Sequence, residues 1–177
     1  MTAAGTLARY GELIEPATLR IERLLPGPVE RIWAYLTDSD LRRQWLAAGE
    51  MVLAPGAPFE LVWRNDELGD TPGEPPEGMG GEHRMTSRIV AVDPPRKLVF
   101  AWAPAGEVTI TLEPRGEDVL LTVVHDRLDD RNERVGVAAG WHAHLDILAD
   151  RAAGRNPASF WDGWSRLRKV YQQRLPA

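Results

Sequence analysis

The feature that most constrains the fold is a change of apolar period, from two across residues 50–128 to a helical spacing across 131–154. A period of two sends alternate side chains to opposite faces of a sheet, and the Gly and Pro turns between the segments suit an antiparallel meander. Residues 50–53, 59–64, 83–92, 97–102, 108–113 and 119–127 read as five or six strands of it. Residues 18–25, TLRIERLL, read as an earlier strand with Leu19, Ile21 and Arg23 on one face and Arg20, Glu22 and Leu24 on the other. In the helical stretch, Val137, Trp141, His144, Leu145 and Leu148 share one broad face. A sheet of this size and one long apolar helix must bury each other, which places the helix in the concave face of a curved sheet and leaves a pocket wherever the contact is incompletely filled.

Pro26-Gly27-Pro28 stops the first strand, after which Val29, Ile32, Trp33 and Leu36 recur at helical spacing. Asp38 or Ser39 then caps a second short helix that contains Leu41, Trp45 and Leu46 and ends near Gly49. Residues 65–81, NDELGDTPGEPPEGMGG, have no apolar period and read as a long mobile hairpin loop inserted in the meander. Gly154 and Pro157 end the long helix, and Phe160, Trp164, Leu167 and Tyr171 mark an amphipathic extension over 155–177. The expected class is α+β, with residues 1–177 forming one domain of ordinary size.

Composition removes several classes of function. With 21 basic against 26 acidic residues and a net charge of -5, the chain lacks the basic footprint of a nucleic-acid binder. It has no cysteine, so disulfides, thiolate nucleophiles and thiolate metal sites are excluded. No stretch is apolar enough to span a bilayer and residues 1–10 show no signal pattern, so no membrane is expected and the expected location is cytoplasmic. Seven tryptophans, by contrast, must either fill a core or line a cavity for an apolar or aromatic molecule.

Strand parity selects among these side chains. Phe59, Leu61 and Trp63 share a face, as do Leu98, Phe100 and Trp102, and as do Val119, Leu121, Val123 and His125. The expected cavity wall therefore draws Trp63, Phe100, Trp102, Val123 and His125 from the sheet, with Met85 beside them. Trp45 joins from the helical pair, and Trp141 and His144 from the long helix. A histidine on an apolar face usually serves structure through a hydrogen bond, and His125 carries that reading alongside a ligand-contact or acid/base one. His142 and His144, two apart on a helix, point about 200° apart and cannot chelate one metal, so no metal is expected; His142 should face outward. His83 and Arg84 open a strand at the end of the long loop and read as solvated. Asp126, Asp129 and Asp130 fit neither a catalytic carboxylate pair nor a calcium loop, and no phosphate-binding or dinucleotide glycine pattern occurs, so no cofactor is expected.

Four phrases carry a family resemblance: PGPVERIWAYLTDSDLRRQWL (26–46), RIVAVDPPRKLVFAW (88–102), LLTVVHDRL (120–128) and GWHAHLDILAD (140–150). In this fixed order they resemble the SRPBCC superfamily, also called START-like or Bet v 1-like, in the branch similar to the heat-shock ATPase activator homologues. The resemblance spans roughly residues 18–154. It implies a helix-grip fold, in which a curved antiparallel sheet wraps around a long C-terminal helix and two short helices follow the first strand. It also implies an internal cavity and, in many members, a homodimer. Superfamily members include lipid carriers, polyketide cyclases and co-chaperone modules. Three functions therefore stand: a carrier or sensor of a small hydrophobic or aromatic ligand; a polyketide cyclase-like enzyme using His125 or His144 as acid/base; and an interaction module with an exposed Trp161 and Trp164 patch. The first is favoured, with weak catalysis or none.

Overall fold

The computed structural model describes residues 7–71 and 73–177. Seven antiparallel strands form one sheet in the order β1-β2-β7-β6-β5-β4-β3. They are β1 (Glu12–Glu15), β2 (Thr18–Pro26), β3 (Pro58–Trp63), β4 (His83–Asp93), β5 (Lys97–Trp102), β6 (Gly106–Arg115) and β7 (Asp118–His125). The last five, β3 to β7, run as a meander, and β7 then pairs with β2, Leu19 opposite His125 and Ile21 opposite Val123. This register aligns the inward side chains into rows: Val108 and Leu19 flank His125, and Ile110 and Ile21 flank Val123. All six are buried, while Leu24 on the outer face is exposed. Alternation in the sequence thus becomes one apolar face, with the meander strands placed as their period demands.

Two short helices, α1 (Val29–Thr37) and α2 (Ser39–Arg42), follow β2. Asp38 caps α2 by accepting hydrogen bonds from the N–H groups of Asp40 and Leu41. The helix ends sooner than expected, so Trp45 lies in the following turn, fully buried, donating its indole N–H to the carbonyl of Tyr35 at 2.8 Å. Arg42, which the sequence did not single out, is only 1% exposed.

The long helix α3 (Arg131–Ala152) crosses the inner face of the sheet, and α4 (Phe160–Arg174) packs along α3. Asp130 and Ser159 cap the two, each accepting a hydrogen bond from the backbone of the first turn. The molecule has a helix-grip α+β fold. None of the helices among the described residues is long and apolar enough to cross a membrane.

Three expectations need correction. Residues 50–53 form no strand: only Ala48 bridges to Val62, and Val52 is 68% exposed. Their alternation finds no partner because the chain leaves the sheet at Gly49, whose φ is +131° and whose missing side chain lets the backbone pass the carbonyl of Glu60. A short edge strand, β1, pairs with β2 ahead of the first strand read from the sequence. Finally, the 65–81 segment is fastened to the start of α4. Its Asp70 N–H donates to the carbonyl of Pro157, its Leu68 carbonyl accepts from the N–H of Phe160, and Leu68 itself is buried.

Candidate functional site

Between the end of the sheet, α3 and α4 lies a pocket of about 310 Å³. Its sheet wall holds Trp63 and Trp102, with ring centroids 5.6 Å apart in edge-to-face contact. From α3 come Trp141 and His144, and from α4 come Phe160, Trp161 and Trp164. Asn65, Met79 and His83 close it from the long loop and its exit. Aromatic faces dominate, and no Asp, Glu, Lys or Arg is among the lining residues.

Space for the pocket comes from glycine. Gly136 and Gly140, four apart on one face of α3, both line it, and a side chain added at Gly136 would meet nothing within 4 Å. Glycine inside a helix costs about 1 kcal/mol relative to alanine, so two on one face is the local signal that the sequence reading passed over. Phe160, Trp161 and Asn65 were missed for another reason, since only the packing of α4 and the loop against α3 brings them to the site.

Of the side chains expected to line a cavity, Trp63, Trp102, Trp141 and His144 reach the pocket wall. Trp45, Phe100, Val123 and His125 are instead sealed behind it, and Met85 packs partly buried on β4 against the core. Parity assigns a sheet face, but it does not separate the stretch of that face covered by helix from the stretch left open.

His125 supports the wall. Its Nδ1 accepts the indole N–H of Trp141 at 3.0 Å, and Trp102 stands edge-to-face with a centroid distance of 4.8 Å. The proton of neutral His125 is therefore on Nε2, which is sealed from solvent without a hydrogen-bond partner among the described residues. Burial pushes the imidazole down to about 4, against the pull of Asp126. An imidazole with one nitrogen occupied and the other sealed holds Trp141 in place and has no route for a proton to the pocket.

His144 is the polar side chain that reaches the pocket from α3. Its Nδ1 donates to the carbonyl of Trp45 at 2.8 Å, which leaves the Nε2 lone pair as its open hydrogen-bonding position. Its ring lies 4.4 Å from that of Phe160, and burial pushes it down to about 4 despite that hydrogen bond to Trp45.

His142 does not face outward as expected; it is 2% exposed. It points away from His144, as the helical spacing requires, but α4 and the N-terminal segment cover that side. Tyr171 accepts the N–H of Gly11 at 2.7 Å and donates to His142 Nδ1 at 2.8 Å, while His142 Nε2 lies 3.5 Å from Asp146. Burial, reinforced by Arg23, Arg9 and Arg166, pushes His142 down to about 3.

The expected exposed tryptophan patch is absent, since Trp161 is 3% and Trp164 7% exposed. Trp164 donates to the carbonyl of Gly136 at 3.2 Å, and Trp161 donates to Asp66 Oδ1 at 2.7 Å. The other oxygen of Asp66 accepts the N–H of Gly81, so one carboxylate clamps both ends of the long loop to α4. His83 borders the pocket with its Nε2 3.0 Å from the carbonyl of Met79, whereas Arg84 pairs outside with Glu60 and Glu82. Trp161→Phe keeps the ring but removes the hydrogen bond to a charged acceptor, so stability should fall by about 1.5 kcal/mol. Amide exchange over 65–81 should accelerate in that variant; unchanged exchange would show that the clamp does not order the loop.

The family model for activator of Hsp90 ATPase homolog 1-like proteins matches residues 26–153. A protein of Bordetella parapertussis, solved by NMR in solution, is 36% identical, with 100% of this chain and 97% of that one covered and a TM-score of 0.80. CalU16 of Micromonospora echinospora has the same fold at 21% identity, covering 90% of this chain and 89% of its own, with a TM-score of 0.68. DynU16, from the dynemicin biosynthetic locus, is 22% identical over 80% of this chain and 49% of its own, with a TM-score of 0.62. No curated protein matches the chain. These proteins share the helix-grip fold. With most of its length matched by the family model, the chain belongs to the activator of Hsp90 ATPase homolog 1-like family.

Proposed function

We propose that the protein is a carrier or sensor that binds a small, largely aromatic molecule in the pocket between the sheet, α3 and α4. The observation that carries this reading is the wall itself: five tryptophans and a phenylalanine around about 310 Å³, at the lower end of the ~300–1,000 Å³ typical of small-molecule sites. Three of those tryptophans, Trp141, Trp161 and Trp164, spend their indole N–H inside the protein, which holds the rings in fixed orientations. A preformed wall saves ordering entropy on binding. The 65–81 segment, clamped by Asp66, closes one side and gates entry.

A bicyclic aromatic buries roughly 150–250 Å², which at about 25 cal/mol per Å² amounts to about 5 kcal/mol, or a Kd near 10⁻⁴ M. Naphthalene, indole or 2-naphthol near 1 mM should then quench tryptophan fluorescence and stabilise the fold by about 1 kcal/mol, raising Tm by about 2–4 °C. Gly136→Leu should fill the pocket and abolish both effects, while the unliganded protein stays folded because leucine favours helix. If the wild type responds to none of the three compounds, the pocket is not a site for molecules of this class; an undiminished response in Gly136→Leu would place the binding elsewhere.

A further inference from the structure

The polar atoms of the pocket are few and they are segregated, an acceptor on the α3 side and indole donors on the sheet side. His144 Nε2 is left with a lone pair because Nδ1–H is committed to the carbonyl of Trp45. Asn65 lines the loop side of the same pocket, but its Oδ1 is sealed within the protein, like His125 Nε2. His144 Nε2 is therefore the acceptor offered from α3. Among the lining tryptophans only Trp63 and Trp102, on the sheet side, keep an indole N–H uncommitted within the described residues. With no ionised Lys, Arg, Asp or Glu in the wall, a ligand's net charge finds no partner there and would leave water uncompensated.

Taking the proposed ligand pocket as its basis, we infer that the ligand is an uncharged aromatic compound bearing a hydroxyl or N–H group, which donates to His144 Nε2. A phenol-type hydroxyl fits this chemistry: its ring lies among the tryptophans and its O–H points toward α3. The ring of Phe160 against His144 fixes the direction in which the lone pair is offered. A hydrocarbon of the same shape leaves the His144 Nε2 lone pair desolvated and unpaired, and an ionised phenolate or a carboxylate presents further lone pairs to it. The neutral state of His144 at pH 7 agrees with this, since a protonated ring would offer a donor in place of the acceptor.

The test compares three compounds on the wild-type protein by isothermal titration calorimetry at pH 7: 2-naphthol, 2-fluoronaphthalene, which replaces the hydroxyl by a group of similar size that cannot donate, and 2-naphthoate. The naphthol should bind at least about tenfold more tightly than either of the others. Equal affinity of 2-naphthol and 2-fluoronaphthalene would overturn the donor requirement while leaving the aromatic pocket in place. Tighter binding of 2-naphthoate would overturn the requirement for an uncharged ligand. Failure of all three to bind would remove the pocket reading and this inference with it.

Discussion

Replacing Arg42 with methionine is expected to lower the stability of the protein by about 3–5 kcal/mol, since each buried carbonyl left without a donor costs about 1–3 kcal/mol and partial relaxation offsets some of the sum. The guanidinium is nearly sealed from solvent and makes no salt bridge among the described residues. It donates instead to backbone carbonyls: Nε to Ala47 at 3.0 Å, Nη1 to Leu36 at 3.2 Å and to Thr37 at 3.5 Å, and Nη2 to Gly49. These are the open carbonyls at the end of α1 and in the chain leaving α2, which no other backbone group satisfies as the chain turns toward the sheet. Burial pushes Arg42 down to about 10, partly offset by Glu50 and Asp38, so it remains charged at neutral pH. Methionine matches much of the volume but leaves four carbonyls without a donor. Lysine keeps the charge but cannot reach a forked set of acceptors from one nitrogen, and should recover little of the loss. For a chain of this length the Tm would fall by about 10 °C or more. Thermal and urea unfolding followed by circular dichroism read the effect directly; a loss below about 1 kcal/mol in the methionine variant would mean that water reaches these carbonyls and the arginine is dispensable.

Acidification from pH 7 to pH 5 should remove on the order of 5 kcal/mol of stability. His125, His142 and His144 are buried and neutral, with folded values of about 4, 3 and 4. An unfolded histidine titrates near 6.5, so between that pH and the folded values the unfolded chain binds up to three more protons than the folded one. Stability is therefore complete above the unfolded value and is lost as pH falls toward the folded ones, at up to about 1.4 kcal/mol per pH unit for each histidine. Asp146, whose carboxyl is raised chiefly by burial, acts in the opposite sense, but only in the more acidic range where carboxylates titrate. Urea unfolding at pH 7, 6 and 5 measures the slope. His142→Gln, whose amide oxygen can still accept from Tyr171, should remove about one third of it. A flat profile between pH 7 and pH 5 would show that the imidazoles stay protonated in the folded protein.

The histidines also show where sequence reasoning reached its limit. Alternation in VLLTVVH places His125 on the inner face, and the structure puts it there, fully buried. Whether an inward residue meets ligand space or another side chain depends on how far α3 covers the sheet, and that is set by Trp141, sixteen residues away in the chain. The helical spacing correctly separates His142 from His144, yet reading His142 as solvated assumed that the far side of α3 meets water. Tyr171, on a helix whose placement the sequence left open, covers it. The pocket's polar groups have the same origin, because Asn65 reaches the site only when the loop is clamped by Asp66 to Trp161.

Local periodicity and turn chemistry, which act over a few residues, determined the meander, the long α3, the helix caps and the sheet face of each strand. Contacts between distant segments decided the rest: the pairing of β1 with β2, the failure of 50–53 to join the sheet, the burial of Arg42, and the meeting of α3, α4 and the loop around the pocket. Those depend on which surfaces remain uncovered once the sheet has closed on its helix, a property of the packed molecule to which residues far apart in sequence contribute together.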